Sequence, residues 1–474
     1  MKKTFTRALA LVLTLMLLLP VIIPCASAAG GKYYTDVSPN NTDLYNAVNY
    51  LYEHGIMNGT GDSKFSPSDP VTRGQIVTIM WRMLHKPTVS GTVTFTDCKS
   101  SDWLYNAVQW AQSAGIASGY TDGTFRPNQT LTNQELYVFM HRFIKYCGYK
   151  VSPDSTYRDV FRTRVSKRTT YQTYAYAAAG WVNYESLLDN KKIAGNTDCT
   201  RGDAALLVYN IYKKYQKKYG MAMTVANYFS DREDWFDGAF IGDQLFVDDK
   251  QFMKHMADFY ARSGVEAICS TRVRSDNKSL YYDDDIHFST LMDKAFSKAN
   301  KLDICYIHMS AHGSVKGLHI LDYSGSILTP AALRTAIDKY DGLFVVMISA
   351  CHSGTFFSQN GGKDLSGSHR IKVLCSSAKE SVSLGQGFGN EWYSIAYNEV
   401  SSYSWGIGFG YDYFQNRDMR ELCADLADTG NGDDRISLKE MYNFSIGWLQ
   451  QNGLADLTVC YPENDDTIIY ELSY

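Results

Sequence analysis

Apolar and polar positions in the first half of the chain follow a pattern that recurs after 60 residues. The sequence Tyr-Asn-Ala-Val stands at 45–48 and again at 105–108, and a Phe-x-Pro turn stands at 65–67 and again at 125–127. Each copy contains an apolar helical run, a turn with glycine and a second helical run. The pattern therefore predicts two successive helical repeats.

The second helix of each copy is preceded by a threonine. The periodic runs at 75–84 and 134–143 follow Thr72 and Thr132, which we predict to be their N-caps because a hydroxyl there accepts a free backbone N–H. A third, weaker copy lacks the Phe-x-Pro turn. It comprises Asp159-Val160, an alanine-rich helix at 174–188 and Thr200-Arg201-Gly202-Asp203.

The second half of the chain has a different pattern, in which short apolar runs alternate with helical periodicity. The apolar runs are 266–270, 304–309, 343–349 and 371–375, and the helical patterns are 244–262, 286–300, 330–340 and 391–400. Such alternation predicts an α/β domain with a mostly parallel sheet between helices. Ligands of such sheets bind beyond the carboxyl ends of the strands, so the residues that follow each strand are the ones to examine.

Charge separates the two halves as well. Residues 29–220 hold 22 basic and 15 acidic residues, a net charge of +7, whereas residues 221–474 hold 21 and 35, a net charge of −14. The whole chain of 474 residues has a formal charge of −4, which argues against a dedicated nucleic-acid binder. We place the domain boundary between 215 and 240 and interpret the basic run at 213–220 as the solvated end of a helix.

The N-terminus predicts export. Lys2, Lys3 and Arg7 precede an apolar run at 8–23, and Ala-Ser-Ala at 26–28 follows it. This order is typical of a signal peptide, which we expect to cover 1–28. The run is shorter than the roughly 20 residues that a spanning helix needs, so we expect no membrane span in the mature chain.

The repeats resemble the S-layer homology repeat. The features that they share with it are the Gly-Ile-x-x-Gly turn, the Asp-Gly-Thr-Phe-x-Pro stretch at 122–127 and the Thr-Arg start of the second helix. The resemblance implies an all-α module of three repeats at 29–92, 93–152 and 153–218 (degenerate) that binds bacterial cell-wall polysaccharide. The positions that match the family's binding residues are Thr72, Arg73, Thr132, Thr200 and Arg201, with Trp103 and Trp110 as sugar platforms. Asn133 stands where the family favours Arg. For Thr72 and Thr132, a purely structural role as helix caps is equally open.

Two predicted strands end in reactive residue types. Ser-Ala-His-Gly-Ser at 310–314 follows one strand, and Ala-Cys-His-Ser-Gly at 350–354 follows the next. We expect His312 and Cys351 to lie on neighbouring strand ends, where an imidazole raises the thiolate fraction or protonates a leaving amine. Backbone N–H groups at such a turn supply the donors that an oxyanion needs.

This pattern resembles the caspase, metacaspase, legumain and clostripain group of cysteine peptidases. The resemblance implies Cys351 as the nucleophile, His312 as the general acid and base, and the N–H groups of Gly313 and Cys351 as the oxyanion hole. It covers about 240–474, so we predict a linker at 219–240 and a caspase-like domain at 241–474. Ser349 replaces the acidic or amide residue of many relatives, which leaves substrate preference undefined. The alternatives are an inactive domain with an intact motif and a pair of buried packing residues.

A calcium site is predicted near the C-terminus. Hard oxygen ligands at alternating positions, closed by a glutamate, are what calcium requires. The stretch resembles an EF-hand or dockerin-type loop and offers Asp428, Asn431, Asp433, Ser437 and Glu440. An acidic loop that caps a helix fits the same residues. No other cofactor is required by the sequence.

The sequence thus predicts a secreted cysteine endopeptidase associated with the cell wall or S-layer, which acts on protein or peptide substrates. The alternative is a catalytically inactive surface protein that binds the wall and an extracellular partner.

Overall fold

We describe a computed structural model of the chain. It describes residues 32–189, 193–225, 260–261, 264–272, 288–311, 313–319, 327–350, 353–356, 365, 368–375, 435–440, 442–443, 459–461 and 466–471. The predicted signal peptide, residues 244–259 of the helix predicted at 244–262, and the helix predicted at 391–400 lie outside these residues. Within them, no helix is both long and apolar enough to cross a membrane.

The first half is an all-helical module. Its helices are α1 (Thr42–Glu53), α2 (Arg73–Met83), α3 (Tyr105–Ser113), α4 (Asn133–Tyr146), α5 (Asp154–Arg164), α6 (Tyr176–Tyr184) and α7 (Arg201–Tyr215). The pairs α1/α2, α3/α4 and α6/α7 are the three repeats, and α5 is an additional helix of the third. One apolar core joins all three repeats, so none of them folds around a core of its own.

Backbone hydrogen bonds close the three repeats into a ring. The N–H of Val71 donates to the carbonyl of Cys199 at 2.9 Å, that of Leu131 to Val71 at 2.9 Å, and that of Cys199 to Leu131 at 2.7 Å. Each repeat therefore donates to one neighbour and accepts from the other. Removal of any repeat leaves an unpaired buried N–H and an unpaired carbonyl in the other two.

The ring also satisfies the free N–H groups at the start of each second helix. The N–H of Arg73 donates to Gln129, that of Asn133 to Thr197 and that of Arg201 to Asp69, at 2.8–3.0 Å. These N–H groups have no partner within their own helices, so the neighbouring repeat acts as their cap.

Close backbone approach explains the glycine that follows each arginine. The N–H groups of Gly74 and Gly202 donate to the carbonyls of Pro127 and Pro67, and a Cβ on either glycine would lie 3.0–3.1 Å from that carbonyl oxygen. In the second repeat, Gln134 fills this position and its neighbour has a glycine in place of the proline. At Gly74 and Gly202, the absence of a side chain thus allows the repeats to contact each other through their backbones.

The third repeat differs from the other two where its turn is held. Both carboxylate oxygens of Asp36 and of Asp97 accept N–H groups from the turns at 65–66 and 125–126 of their own repeats. Asp159, which the sequence pattern places at the start of the third copy, lies in helix α5 and forms an exposed ion pair with Arg162. Within the described residues, it holds no turn as Asp36 and Asp97 do, so its placement at the start of the third copy is wrong. The Thr170 hydroxyl accepts the N–H of Gly195 at 2.8 Å and holds the turn instead.

The second half contains the predicted sheet, in the order β2-β1-β3-β7-β8-β10. Its strands are β1 (Lys218–Val225), β2 (Glu266–Arg272), β3 (Ile304–Ser310), β7 (Leu343–Ser349), β8 (Ile371–Cys375) and β10 (Val459–Tyr461). All neighbouring pairs are parallel except β10 with β8. This confirms a mostly parallel sheet, with β3 and β7 side by side at its centre.

Helices cover the sheet. Apolar residues of α8 (Phe288–Phe296) and α9 (Pro330–Ile337) share a core with alternate residues of β3 and β7. On the other face, Tyr306 is fully buried and its ring lies 6.0 Å from that of Tyr260. Both faces of β3 are therefore buried, as parallel sheets require.

The linker predicted at 219–240 is wrong over its first residues. Residues 219–225 belong to β1, which pairs with both β2 and β3, and only Gln216 and Lys217 separate this strand from helix α7. The lysine-rich run at 213–220 spans both the end of helix α7 and the start of β1, so its composition does not indicate where the helix ends and the strand begins. The module and the sheet are thus joined without a spacer.

Two small sheets complete the described structure. The first comprises β4 (Gly313–Ser314), β5 (Gly317–His319) and β6 (Ile327–Leu328), and the second comprises β9 (Arg435–Ser437) and β11 (Ile468–Glu471). Their strands are too short to produce a periodicity that the sequence reveals.

We predict an acid-sensitive contact between the second and third repeats at His141. Its ring packs against Tyr157 and Trp181, and burial lowers its pKa from 6.5 to about 4. The folded state favours the neutral ring. The contribution of His141 to the free energy of unfolding is therefore fully present above pH 6.5 and is lost as the pH falls towards 4. The expected loss is roughly 3 kcal/mol in the free energy of unfolding.

Urea titrations of the wild type and of His141→Leu between pH 4 and pH 8 test this contact. The wild type should lose stability more steeply than the variant below pH 6.5. Parallel curves for the two proteins would contradict the assignment.

Candidate functional sites

The two arginines at the starts of α2 and α7 hold the neighbouring repeat. Arg73 donates from Nε to the carbonyl of Phe125 at 2.9 Å and from Nη2 to that of Ser118 at 3.2 Å. Arg201 donates from Nε to Phe65 at 2.9 Å and from Nη2 to Asn58 at 2.8 Å. Equivalent atoms thus make equivalent contacts in two of the three interfaces between repeats.

Both guanidinium groups are buried beside aromatic rings. Arg73 lies 4.9 Å from the ring centres of Tyr120 and Phe125, and Arg201 lies 4.8 Å from that of Phe65. Burial lowers the pKa of both arginines, which nevertheless stay charged. Each positive charge is compensated by carbonyl oxygens and by the faces of the rings.

The third interface uses Asn133 at the position of the arginines. Its Nδ2 donates to the carbonyl of Ala194 at 3.2 Å and to the hydroxyl of Thr197 at 3.0 Å. The shorter side chain reaches the same turn of the next repeat but carries no charge. This interface therefore lacks the buried cation of the other two interfaces.

The three threonines proposed for polymer binding act as helix caps. Thr72 forms a reciprocal capping box with Gln75, and the N–H of Thr132 donates to Glu135 at 2.8 Å. The Thr200 hydroxyl accepts the N–H of Asp203 at 3.1 Å. The predicted N-caps at Thr72 and Thr132 are confirmed. A direct contact between these side chains and a polymer stays a prediction.

A rim of three side chains, Tyr120, Arg126 and Tyr174, lies next to Arg73, and of these Arg126 and Tyr174 are exposed while Tyr120 is half-buried. The Arg126 guanidinium is 3.9 Å from the Tyr120 ring centre and pairs with Asp122 at 2.8 Å. Tyr174 of the third repeat is 57% exposed, and partial desolvation, followed by the nearby Glu135 and Tyr120, raises its pKa. Aromatic faces and a cation thus meet where three repeats adjoin. The resemblance named the buried Arg73 and not this rim, although Arg126 is the variable position of the quoted Asp-Gly-Thr-Phe-x-Pro stretch and Tyr120 stands two residues before that stretch.

The two tryptophans suggested as sugar platforms have different environments. Trp103 is 66% exposed and stands two residues before α3, as Tyr174 stands two residues before α6. Trp110 is buried and packs edge-on against Phe143 and Tyr146. Only Trp103 is accessible to a ligand, so the suggestion for Trp110 is wrong.

In the sheet, β3 and β7 run side by side in register to Ser310 and Ser349, which are paired. His312 and Cys351, each two residues further along the chain, lie outside the described residues. Gly313 begins the hairpin of β4 and β5, where it pairs with Leu318.

The segments that follow these two positions contact each other. The hydroxyl of Thr355, in a 3₁₀ turn at Ser353–Phe356, donates to the carbonyl of Val315 at the tip of the hairpin, at 3.4 Å. Phe356 and Leu318 are fully buried in the same apolar core. The Cys375 thiol at the end of β8 donates to the Ser353 carbonyl at 3.2 Å. The turn after β7 is therefore held against both β8 and the hairpin.

His308, earlier in β3, is buried, and burial lowers its pKa to about 3. It is therefore neutral at neutral pH. Among the described residues, no group of three or more His, Cys, Asp and Glu side chains has the geometry of a metal site.

Two of the five predicted calcium ligands cap a helix. The Ser437 N–H donates to the Glu440 carboxylate at 2.9 Å, and the Glu440 N–H donates to the Ser437 hydroxyl at 3.1 Å. This reciprocal pair is a capping box. Asp428, Asn431 and Asp433 lie outside the described residues. Calcium binding stays a prediction.

Comparisons with known proteins match the repeats. The S-layer homology domain model matches residues 33–77 and 94–136. An endoglucanase of Bacillus sp. (strain KSM-635) is 30% identical over 155 residues, 32% of this chain and 16% of that protein. An amylopullulanase of Thermoanaerobacterium thermosulfurigenes is 28% identical over 193 residues, 39% of this chain and 10% of that protein. The surface-layer 125 kDa protein of Lysinibacillus sphaericus is 30% identical over 122 residues, 26% of this chain and 10% of that protein.

The chain thus spans a sixth or less of the length of these relatives. It carries S-layer homology domains and is associated with the cell wall or S-layer.

Proposed function

We propose that the protein is a secreted cysteine endopeptidase held non-covalently at the cell wall. The repeat module binds wall polysaccharide, and the α/β domain hydrolyses peptide bonds with Cys351 and His312. The observation that carries the proposal is the pairing of Ser310 with Ser349 on adjacent parallel strands, since His312 and Cys351 follow these residues by equal chain lengths.

The contact between Thr355 and Val315 supports the same conclusion. Val315 is three residues beyond His312, and Thr355 is four residues beyond Cys351. The two segments start at neighbouring strand ends and contact each other again only a few residues later. We therefore expect His312 and Cys351, which lie between these two points, to be close to each other. The mostly parallel sheet also agrees with the caspase-like fold that the resemblance implies.

The proposed reaction has two steps. The Cys351 thiolate attacks the scissile carbonyl carbon, the N–H groups of Gly313 and Cys351 stabilise the oxyanion, and the His312 imidazolium protonates the leaving amine as the C–N bond breaks. His312 then accepts a proton from water as the water oxygen attacks the thioester. The C–S bond breaks, which regenerates the thiolate and releases the carboxylic acid product. The chemistry requires no cofactor.

Charge and shape support polysaccharide binding by the module. Its net charge of +7 over 29–220 suits an anionic wall polymer. The rim of Tyr120, Arg126 and Tyr174 offers aromatic faces for sugar rings and a cation for acidic substituents. We propose that the polymer contacts this rim, while Arg73 behind it keeps the rim in place.

A second candidate function is an inactive surface protein that binds the wall and an extracellular partner. It is favoured by the comparisons, which match the repeat half of the chain and include a protein named as cellulosome-anchoring. The two experiments below distinguish it from the peptidase.

Replacement of Tyr174 by alanine should weaken binding of the protein to purified cell walls about tenfold, because one aromatic contact contributes up to about 1.5 kcal/mol. Co-sedimentation with increasing amounts of wall measures the affinity. Tyr184→Ala is the matched control, since Tyr184 is also exposed but belongs to the end of α6. Equal affinities for the two variants would contradict the assignment of the rim.

Replacement of Cys351 by alanine should abolish hydrolysis of casein or of a peptide library, because the nucleophile is lost. Release of new amino termini measures hydrolysis, and unchanged sedimentation with walls shows that the variant is folded. Hydrolysis at the wild-type rate would reject the peptidase. A wild type without hydrolysis on any substrate of the library would favour the inactive surface protein.

A further inference from the structure

The start of strand β3 is embedded in the repeat module. The Asp303 carboxylate is fully buried and accepts the Tyr149 hydroxyl of the module at 2.6 Å and the Lys217 N–H of the connection at 2.7 Å. It also accepts the Asn300 N–H at 2.8 Å from its own domain. The backbone carbonyl of Asp303 accepts the N–H of Leu343, the first residue of β7, at 2.8 Å. One residue thus connects the module to the starts of both central strands.

The residues before Asp303 extend this contact. Leu302 is buried in the apolar core of the module, although it belongs in sequence to the sheet domain. Its carbonyl accepts the Gln216 side-chain amide at 3.0 Å. The Lys301 N–H donates to the carbonyl of Cys147 at the end of α4 at 3.1 Å. The contact therefore combines apolar burial with backbone hydrogen bonds, as the interior of a domain does.

A second contact lies on the first repeat. Arg435 of β9 forms an ion pair with Glu53 at the end of α1, and its guanidinium lies 5.5 Å from the Tyr50 ring centre. Lys32 pairs with the other Glu53 oxygen at 3.0 Å. The Glu53 side chain is only 4% exposed. A carboxylate with so little access to water is strongly destabilising if its partner is removed.

We infer that the face of the repeat module formed by Glu53, Cys147 and Tyr149 is a docking surface whose partner is the sheet domain of the same chain. The anchor and the sheet therefore unfold together as one cooperative unit, rather than as two modules on a tether. Separation would take the Tyr149 hydroxyl from the Asp303 carboxylate and the Arg435 guanidinium from the Glu53 carboxylate. This inference concerns the joint between the domains and does not depend on peptidase activity.

One consequence concerns what happens at the wall. Any ligand that binds the folded ring shifts the unfolding equilibrium of the whole unit, so it stabilises the strands that lead to His312 and Cys351 as well. The repeat module then stabilises the sheet domain as well as holding it at the wall.

Hydrogen exchange on the full-length protein tests the docking surface through Tyr149→Phe, which removes one hydrogen bond to a buried carboxylate. We expect the slowest amides of α7 in the module and of β3 and β7 in the sheet to exchange roughly ten- to a hundredfold faster, all by the same factor. Tyr184→Phe, which changes an exposed tyrosine of the same module, should leave these rates unchanged.

Faster exchange confined to one of the two parts, or to the residues beside 149 and 303, would overturn the proposal. Unchanged rates in both parts would overturn it as well. If Tyr149→Phe does not fold, Gln216→Ala provides the same test, since it removes only the side-chain bond to the Leu302 carbonyl. Scanning calorimetry of the wild type gives a second readout, for which we expect one transition. Two resolved transitions would overturn the proposal.

Discussion

The cyclic set of hydrogen bonds among Val71, Leu131 and Cys199 is the constraint on which the rest of the structure depends. Because the set is cyclic, every repeat donates one hydrogen bond and accepts one. The third repeat is therefore required, although its sequence resembles the other two only weakly. The third repeat makes both hydrogen bonds through the backbone of Cys199. Elsewhere it uses Thr170 where the other repeats have an aspartate and Gly195 where they have a proline. Geometry is retained where sequence similarity is lost. The family match at 33–77 and 94–136 accordingly covers the first two repeats.

Closure of the ring also assigns different tasks to the basic residues of the module. Arg73 and Arg201 are used to hold turns of the neighbouring repeats, so their charge lies behind the surface. Arg126 and Tyr174, by contrast, are exposed at the rim, where we propose that the polymer binds. The ring is then continued into the sheet by helix α7 and two connecting residues. Wall attachment and the α/β domain are thus parts of one structure, joined through Asp303.

The sequence was most informative where a local pattern has one structural outcome. Threonine before a helical run predicted the caps at Thr72 and Thr132, and uninterrupted apolar runs predicted β7 and β8 at their observed bounds. It failed where a residue has two uses. Lysines occur before β1, as they do at many helix ends. A tryptophan can bind a sugar ring, as suggested for Trp103, or belong to the core, as Trp110 does. Arg73 matches a binding motif but is buried. Only the contacts made by the folded chain separate these cases, and none of them is local in sequence.

For the proposed function, the central claim is that the Cys351 thiol lies beside the His312 imidazole. Alkylation by iodoacetamide, followed residue by residue with mass spectrometry from pH 5 to pH 9, tests it without knowledge of the substrate. The buried thiols of Cys98, Cys147, Cys199, Cys305 and Cys375 serve as internal references, because burial raises the pKa of Cys98 to about 11 and that of Cys147, Cys199 and Cys305 as well. We predict that Cys351 reacts much faster than these thiols near pH 6 and that His312→Ala removes this advantage. A Cys351 that reacts as slowly as the buried thiols, or at a rate that His312→Ala does not change, would contradict the account.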